Sequence, residues 1–171
     1  MSTTGITIRP LRRDDRASIQ RILHETKVFL EAEVLCALEL IDVYLNNSAQ
    51  KDYWLACAVD VTDQPLGYVC YGPTPMTAGT YDLYWIAVDP AQHGRGAGSL
   101  LIKYVEQQVC HPERMACSTE PARLVVIETS SLPRYESARR LYRRHQYGEV
   151  ARIPDFYADG DDRVLYTKRF L

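Results

Sequence analysis

The stretch that decides the fold spans residues 80–101 and reads TYDLYWIAVDPAQHGRGAGSLL. Its first part is rich in aromatic and β-branched side chains, which favour a β-strand, and Pro90 ends the strand because proline cannot donate to a sheet ladder. Gly94, Gly96 and Gly98 then predict a loop, and the apolar residues after them predict a helix. The stretch therefore predicts a strand, a glycine-rich loop and a helix in direct succession.

The segment that follows extends this unit to a second strand. RLVVIETS, at residues 123–130, is almost continuously apolar, as in strands that are covered on both faces of a sheet. A strand, a helix and a further strand of this kind predict a right-handed parallel crossover.

The remaining segments predict further helices and strands around the crossover. Asp14 or Asp15 is predicted to cap a first helix whose apolar residues keep helical spacing as far as Leu30. A second amphipathic pattern ends near Asn46. The other predictions are a strand at 6–10, an antiparallel hairpin of 53–59 with 64–72, loops at 72–79 and 111–122, a helix around 137–145, and strands at 147–153 and 163–170 around a turn at 154–162.

Residues 93–99, here called the glycine loop, have the composition of an anion-binding site. Glycines let backbone N–H groups approach an anion without interference from a Cβ, and the start of the helix adds the positive end of its dipole. The Gly-x-Gly-x-x-Gly fingerprint would need glycine in place of Ser99, and no Lys-Ser or Lys-Thr pair follows as a P-loop requires. A different phosphate cradle and a glycine turn without a ligand are the interpretations that remain.

The glycine loop, which reads HGRGAGS, resembles the pyrophosphate loop of the GNAT superfamily, the acyl-CoA-dependent N-acyltransferases, with the motif Gln/Arg-x-x-Gly-x-Gly/Ala. The predicted element order is similar to that of the superfamily over almost the whole chain, and SARRLYRRHQYGEV (137–150) resembles its late helix. The resemblance implies an α/β (α+β) fold, with a mixed, mostly antiparallel central sheet, helices on both faces and one parallel crossover at the CoA site.

The same resemblance implies acetyl-CoA as co-substrate. The chain departs from the superfamily pattern at His93 in place of Gln or Arg, at Tyr135 where many members have an Asn that contacts CoA, and at Gln146-Tyr147 in place of Gly-Phe. None of these changes removes a backbone donor. The implied CoA contacts are Ile86, Ala87 and Val88 as partners of an added strand, the loop residues His93, Gly94, Arg95, Gly96, Ala97, Gly98 and Ser99, and Tyr135.

Three side chains are candidates for proton transfer. By the resemblance, Tyr142 stands at the place of the general acid that protonates the leaving sulfur, and Asp82 is similar to the strand carboxylate that histone-acetylating members use as base. Glu128 is a second candidate base, because a carboxylate between apolar residues is either paired or raised in pKa. The alternatives are a core position for Tyr142 and a solvated or salt-bridged Asp82. Strict alternation predicts that Asp82 shares a face with Ile86 and Val88.

Composition limits the remaining functions. The 171 residues carry 20 basic and 22 acidic side chains, a net charge of −2, and predict one domain over residues 1–171 with no global field for nucleic acid or an anionic membrane. The cysteines form no Cys-x-x-Cys pair and are predicted to be reduced and mostly buried, and the histidines lack ligand spacing, so no metal is expected. No apolar run reaches the roughly 18 residues that span a bilayer, so we expect a soluble, cytoplasmic protein without a membrane partner. The net charge predicts no nucleic-acid partner, and a homodimer is left open.

The acceptor is predicted to be a small, cationic amine. Acidic residues within 31–42 and 155–162 flank the acceptor side in folds of this kind, and Phe156 and Tyr157 lie among them, which suits a cation with an apolar body. The alternative is plain turn chemistry. The arginine-rich segment 139–144 is expected to form a solvated helix face or to supply one contact to CoA phosphates. The sequence thus predicts an N-acetyltransferase that acts through a ternary complex; the alternative is a CoA-binding sensor or scaffold of the same fold without turnover.

Overall fold

The computed structural model of the chain describes residues 5–111 and 120–170. Most of the loop predicted at 111–122, with Cys117, lies outside the described residues. In chain order the elements are β1 (Thr7–Pro10), α1 (Arg16–Glu25), α2 (Glu31–Asn46), β2 (Trp54–Val59), β3 (Pro65–Pro73), β4 (Thr80–Val88), α3 (Ala97–Cys110), β5 (Leu124–Ser130), α4 (Glu136–Arg144), β6 (Gly148–Ala158) and β7 (Asp161–Arg169).

Within the described residues, seven strands form one sheet in the order β1-β2-β3-β4-β5-β7-β6. Neighbouring strands run antiparallel, except that β4 and β5 are parallel and are joined through α3. The predicted α/β fold, with a mostly antiparallel sheet, helices on both faces and one parallel crossover, is confirmed. β3 is buried along nearly its whole length because it lies in the middle of the sheet under helices on either side.

Two hydrophobic clusters hold the helices on opposite faces of the sheet. On the face that we call the α3 face, α3 and α4 contribute Leu101 and Tyr142 to one cluster. On the other, the α1 face, α1 and α2 contribute Ile22 and Ile41, which pack with Tyr68 of β3. Full burial of side chains of this size contributes about 1.5–3 kcal/mol each, so both faces fix the position of the central strands.

The start of α1 differs from its prediction. Asp15 precedes α1, but its carboxylate makes no capping hydrogen bond to the helix. It accepts the N–H of Arg12 at 2.7 Å and a bidentate pair from Arg9 at 2.7 and 2.9 Å. Burial alone would raise the pKa of Asp15, but these hydrogen bonds outweigh it and hold the pKa below its ordinary value. Leu30, predicted to continue this helix, lies beyond its end and directly precedes α2.

The turn predicted at residues 154–162 is wrong in extent, because β6 continues to Ala158 and leaves only residues 159–160 between the strands. In the ladder with β7, Ile153 pairs with Arg163 and Ala158 pairs with Asp161, so β6 carries extra residues between them. Such a bulge re-aims side chains and bends the strand. Its Pro and Asp residues give the same sequence signal as a turn.

Candidate active site

The site lies where the two parallel strands separate. β4 and β5 pair from Thr80 and Leu124 as far as Leu83 and Ile127, and within the described strands no pair follows. Both strands continue past this point, so a cleft opens between them. On this side, the backbone N–H and C=O groups of β4 are left without a strand partner, and such groups need another polar partner.

A β-bulge in β4 adjoins the cleft. In the ladder with β3, Tyr71 pairs with Leu83 and Cys70 pairs with Trp85, so Tyr84 is an extra residue. One extra residue inverts the alternation of side chains along a strand. Odd-numbered residues of β4 before the bulge and even-numbered residues after it therefore lie on the same face of the sheet.

The bulge places Asp82 on a different face of the sheet from Ile86 and Val88. Leu83 before the bulge and Ile86 and Val88 after it all pack in the cluster of the α3 face. Asp82 alternates with Leu83 and so points to the α1 face, where Trp85 also packs. The prediction that Asp82 shares a face with Ile86 and Val88 is therefore wrong.

The glycine loop and the first turn of α3 present unpaired backbone donors. Gly94 and Gly96 have φ angles of +80° and +92°, in the left-handed region that favours glycine. A Cβ on Gly98 would lie 3.0 Å from the Leu141 side chain of α4, so glycine also allows the two helices to approach. Together with the helix dipole, the unpaired donors form a cradle for an anion. The N–H groups without an acceptor among the described residues are those of Gly94, Gly96, Ala97, Gly98 and Ser99.

Neighbouring groups hold the side chains of the glycine loop. Nε2 of His93 lies 3.3 Å from the carbonyl oxygen of Val88. The Arg95 guanidinium donates to the side-chain oxygen of Gln92. The hydroxyl of Ser99 lies 2.9 Å from Nε2 of His145, whose pKa is lowered by burial. The predicted CoA contacts of the loop thus lie together at the start of α3, and their roles toward a ligand stay predictions.

One cavity of about 1470 Å³ joins the cradle to the far end of the cleft. Residues from the α1–α2 segment, β4, the glycine loop, β5, α4 and the β6–β7 hairpin line it. Common small-molecule sites have volumes of roughly 300–1,000 Å³, so this cavity has room for a large cofactor and a second molecule together.

Asp82 lines this cavity and is half-buried. The Thr74 hydroxyl donates to its Oδ2 at 2.7 Å, and no donor among the described residues bonds to its Oδ1. Burial, together with the charge of Glu128, raises the pKa of Asp82, against the opposing effects of the Thr74 hydrogen bond and the Arg163 charge. A carboxylate with a raised pKa and a free oxygen is suited to accept a proton.

Glu128, the second candidate base, is engaged at both oxygens. Tyr157, which the β6 bulge carries, donates to Oε1 at 2.6 Å, and Arg163 forms an ion pair with Oε2. The Arg163 guanidinium also lies over the Phe156 ring, 4.9 Å from its centroid. The sequence left open whether Glu128 is paired or has a raised pKa, and the structure shows that it is paired. Asp82 is therefore the better candidate base.

Tyr142 lines the same cavity from the α3 face. Its side chain is only 4% exposed, and its ring packs against Tyr166 with centroids 5.8 Å apart. Within the described chain, no hydrogen bond forms at its hydroxyl. Burial, with the neighbouring tyrosines, raises the pKa of Tyr142, so the phenol keeps its proton at neutral pH. A protonated phenol in a cavity can act as a general acid.

Tyr135, predicted to contact CoA, bonds to the opposite wall of the cavity. Its hydroxyl donates to Glu33 of α2 at 3.2 Å, and its ring meets Phe29 edge-on with centroids 6.4 Å apart. Phe29 packs in turn on Trp85, with centroids 5.5 Å apart. Tyr135 therefore connects the start of α4 to the α1–α2 segment, and its contact with a cofactor stays a prediction.

The acidic segments predicted to flank the acceptor lie only partly at the cavity. Asp42 pairs with Arg16 at 2.7 Å, and Asp162 pairs with an arginine of β6 at 3.1 Å, so intramolecular contacts account for both. Turn chemistry also explains Asp155, which accepts the N–H of Gly160 at 2.7 Å. Glu33, Asp159 and Asp161 do line the cavity.

The arginine-rich segment of α4 has mainly internal partners. Arg139 is buried and donates to the carbonyl oxygen of Ser130 at 2.5 Å, which ties α4 to the end of β5. Two further arginines pair with Glu136. Within the described chain, Arg144 lines the cavity without an ion pair. A contact of this segment with CoA phosphates stays a prediction, for which Arg144 is the candidate.

Sequence analysis missed two polar residues of the site, Thr74 and Arg163. Each reaches a carboxylate on a neighbouring strand, Asp82 and Glu128, so strand register decides the contact and no local pattern reports it. Gly72 is a partial signal, because it stands directly opposite Asp82 in the ladder and offers no side chain to pair with it.

Metal-site and membrane features are absent from the part of the chain that the structure describes. Among residues 5–111 and 120–170, no group of three His, Cys, Asp or Glu side chains could hold a metal ion. In the same residues, no helix is long and apolar enough to cross a membrane. The four described cysteines, Cys36, Cys57, Cys70 and Cys110, are free thiols, and Cys36 is exposed.

The family of the protein follows from comparison with known sequences. The family model of the acetyltransferase (GNAT) domain matches residues 49–149, which is more than half of the chain and includes the glycine loop and Tyr142. The chain belongs to the GNAT family of acetyltransferases, which implies acyl-CoA-dependent acetyl transfer. No curated protein sequence matches it.

Solved structures agree with this assignment. A GNAT-family protein from Desulfovibrio desulfuricans is 34% identical and superimposes with a TM-score of 0.84 over 96% of this chain and 99% of that one. The protein yncA of Salmonella typhimurium, solved with its cofactor acetyl-CoA, is 17% identical. It superimposes with a TM-score of 0.68 over 97% of this chain and 94% of that one. NAA60 of Arabidopsis thaliana, in complex with a bisubstrate analogue, is 18% identical. It superimposes with a TM-score of 0.74 over 96% of this chain and 97% of that one. At these low identities the last two share the fold alone.

Proposed function

We propose that the protein transfers the acetyl group of acetyl-CoA to the primary amine of a small, cationic molecule by direct attack in a ternary complex. The observation that carries the proposal is the single cavity that connects the unpaired donors of the glycine loop to Asp82 and Tyr142. These two residues approach the cavity from opposite faces of the sheet. A base on one side and an acid on the other is the arrangement that acyl transfer between two bound substrates needs.

In this proposal the cradle binds the pyrophosphate of CoA. The unpaired N–H groups of the glycine loop and the α3 dipole supply donors and partial positive charge. The edge of β4 at Ile86, Ala87 and Val88, which has no β5 partner, can pair with the pantetheine arm as an added strand does. This direction of binding leads the thioester from the loop toward the part of the cavity that Asp82 and Tyr142 line.

The chemistry assigns one proton transfer to each face. An alkyl ammonium with a pKa of about 10.4 must lose a proton before it can attack, at a cost of about 4.6 kcal/mol at pH 7. Asp82 takes this proton, the amine nitrogen bonds to the thioester carbon, and the carbon–sulfur bond breaks as the tetrahedral oxyanion collapses. Tyr142 gives its proton to the leaving sulfur, and the second proton that the nitrogen loses as the amide forms restores the Tyr142 phenol. Strand N–H groups are suited to hold the oxyanion.

The charge of the acceptor end supports a cationic substrate. The lining residues from β4, β5 and the β6–β7 hairpin include the carboxylates of Asp82, Glu128, Asp159 and Asp161 and the guanidinium of Arg163. Excess negative charge in a cleft concentrates cations and speeds their association. The ring of Tyr157, which also lines the cavity, adds apolar surface for the body of the amine.

Thiol release from acetyl-CoA, measured against a panel of amines, tests the proposal. We expect turnover of cationic primary amines that is lost in Asp82→Asn and retained in Asp14→Asn, a control that removes the same charge from an exposed position before α1. The specificity constant should fall with salt for charged amines and stay constant for neutral amines of equal size. A preference for neutral amines would refute the cationic substrate. CoA binding in calorimetry without turnover of any amine would support the sensor or scaffold instead.

A further inference from the structure

The connection between β3 and β4 holds Thr74 beside Asp82. The N–H of Thr74 donates to the carbonyl of Thr80 at 2.9 Å, and the carbonyl of Thr74 accepts the Thr77 hydroxyl at 2.7 Å. Both contacts involve the Thr74 backbone and leave its side chain free for other partners. They fix Thr74 directly after β3, two residues beyond Gly72, which pairs with Asp82 in the ladder.

Gly72 explains why Thr74 is the residue that reaches the carboxylate. Residues two apart on a strand share a face, so Thr74 lies on the face of Gly72 and Asp82. A Cβ at Gly72 would lie 2.1 Å from the carbonyl oxygen of Asp52, so the position directly opposite Asp82 cannot hold a side chain. The polar group that β3 offers to Asp82 is therefore the Thr74 hydroxyl, 2.7 Å from Oδ2.

We propose that Thr74 is a positioning residue for acetyl transfer, whose hydroxyl fixes Oδ2 of Asp82 and leaves Oδ1 for the substrate amine. The inference rests on the proposed function, in which Asp82 is the base. A carboxylate without a fixed oxygen can rotate about its side-chain bonds, and proton transfer requires the accepting oxygen within hydrogen-bond reach of the amine. The hydroxyl also stabilises the charged form of Asp82, because it donates to the carboxylate.

The other groups that face Asp82 set the charge balance on which Thr74 acts. Glu128 on β5 disfavours the charged form of Asp82, and Arg163 on β7 favours it. Burial and the Asp82 charge raise the pKa of Tyr84 on β4 to about 12, so this phenol is neutral at the pH of the assay. Within the described residues none of these groups bonds to the Asp82 carboxylate, so loss of the Thr74 hydroxyl leaves it without a donor.

The experiment compares the pH dependence of kcat/KM in Thr74→Val, Thr74→Ser and Asp82→Asn. The matched control is Thr62→Val, which removes another threonine–aspartate hydrogen bond of 2.7 Å, to Asp60, in the exposed turn between β2 and β3. For Thr74→Val we expect the acid limb to move to higher pH by about one pH unit and kcat on the plateau to fall about 10-fold. Thr74→Ser should restore both values, and Thr62→Val should change neither.

Each outcome separates the positioning role from the proposed function. An unchanged acid limb in Thr74→Val, or a loss of activity that Thr74→Ser does not restore, overturns the role of Thr74 while Asp82 remains the base. Wild-type activity in Asp82→Asn overturns the assignment of the base, and with it the role of Thr74. Melting temperatures of all variants show whether each is folded, and Thr74→Ala, which removes the same hydroxyl, takes the place of the valine variant if that variant does not fold.

Discussion

Replacement of Tyr142 by Phe tests whether its hydroxyl takes part in the chemistry or only packs. The change removes one oxygen atom and keeps the ring that packs against Tyr166. If the phenol protonates the leaving sulfur, turnover falls and acetyl-CoA affinity does not, because only the transition state uses that proton.

The structure sets the size of both effects. A positioned general acid contributes about 10²–10⁴-fold, and a thiol with a pKa of about 8.5 leaves readily, so we expect a loss in kcat of about 10²-fold or somewhat less. Loss of a typical hydrogen bond costs about 1 kcal/mol of stability. The Tyr142 hydroxyl makes none within the described residues, so the melting temperature should stay within a degree or two of the wild type.

The assay is pre-steady-state acetyl transfer, with calorimetry for acetyl-CoA binding and thermal melting for stability. Tyr68→Phe is the control, because the Tyr68 hydroxyl likewise makes no hydrogen bond within the described residues but is buried in the cluster of the α1 face. A Tyr142→Phe enzyme with an unchanged rate of chemistry would refute the acid role and leave Tyr142 as a core residue. A drop in acetyl-CoA affinity equal to the drop in turnover would assign the hydroxyl to binding.

Two further predictions concern the cradle and the stability of the fold. Gly94 and Gly160 have φ angles of +80° and +76°, and a Cβ at either would meet nothing within 4 Å, so alanine should strain both alike, by about 1–2 kcal/mol. In calorimetry, Gly94→Ala should bind CoA at least about 10-fold more weakly and Gly160→Ala normally; equal affinities would exclude the loop as the phosphate site. Asp15→Asn, which breaks the buried pair with Arg9, should lower the free energy of unfolding by about 3 kcal/mol at pH 7 in urea titration. Because the pKa of Asp15 is lowered in the folded state, this difference should shrink as the pH falls below the ordinary range of aspartate, and a constant difference would contradict the pairing.

Local sequence signals were sufficient for the glycine loop. Pro90 ends a strand, and the positive φ angles of Gly94 and Gly96 favour glycine. The residue types that define the loop are therefore visible in the sequence itself. The crossover followed for the same reason, since a strand, a helix and an apolar strand in direct succession have few other arrangements. These features depend on neighbours in sequence.

Features that depend on strand register could not be predicted. The bulge at Tyr84 lies in a run of aromatic and apolar residues, so an extra residue leaves no visible break in the pattern. The partners of Glu128 come from β6 and β7, and the hydroxyl at Asp82 comes from beyond β3. The β6 bulge gives the sequence signal of a turn, because bulges and turns select the same residues.

The bulge and the separation of β4 from β5 together explain how one sheet can serve two substrates. Without the bulge, Asp82 would face the same side as Ile86 and Val88, and the base would compete for space with the backbone-bound arm of the cofactor. With it, Asp82, the proposed base, lies on the α1 face, while the side chains of Ile86, Val88 and Tyr142 pack on the α3 face. The pairing of β4 and β5 ends at Leu83 and Ile127, immediately after Asp82. The cleft that connects the two faces of the sheet therefore begins just beyond Asp82. An amine from the α1 face can then meet a thioester in the cleft with its proton directed to Asp82 and the leaving sulfur directed to Tyr142. This geometry supports the proposed direct transfer in a ternary complex, since neither substrate must leave before the other arrives.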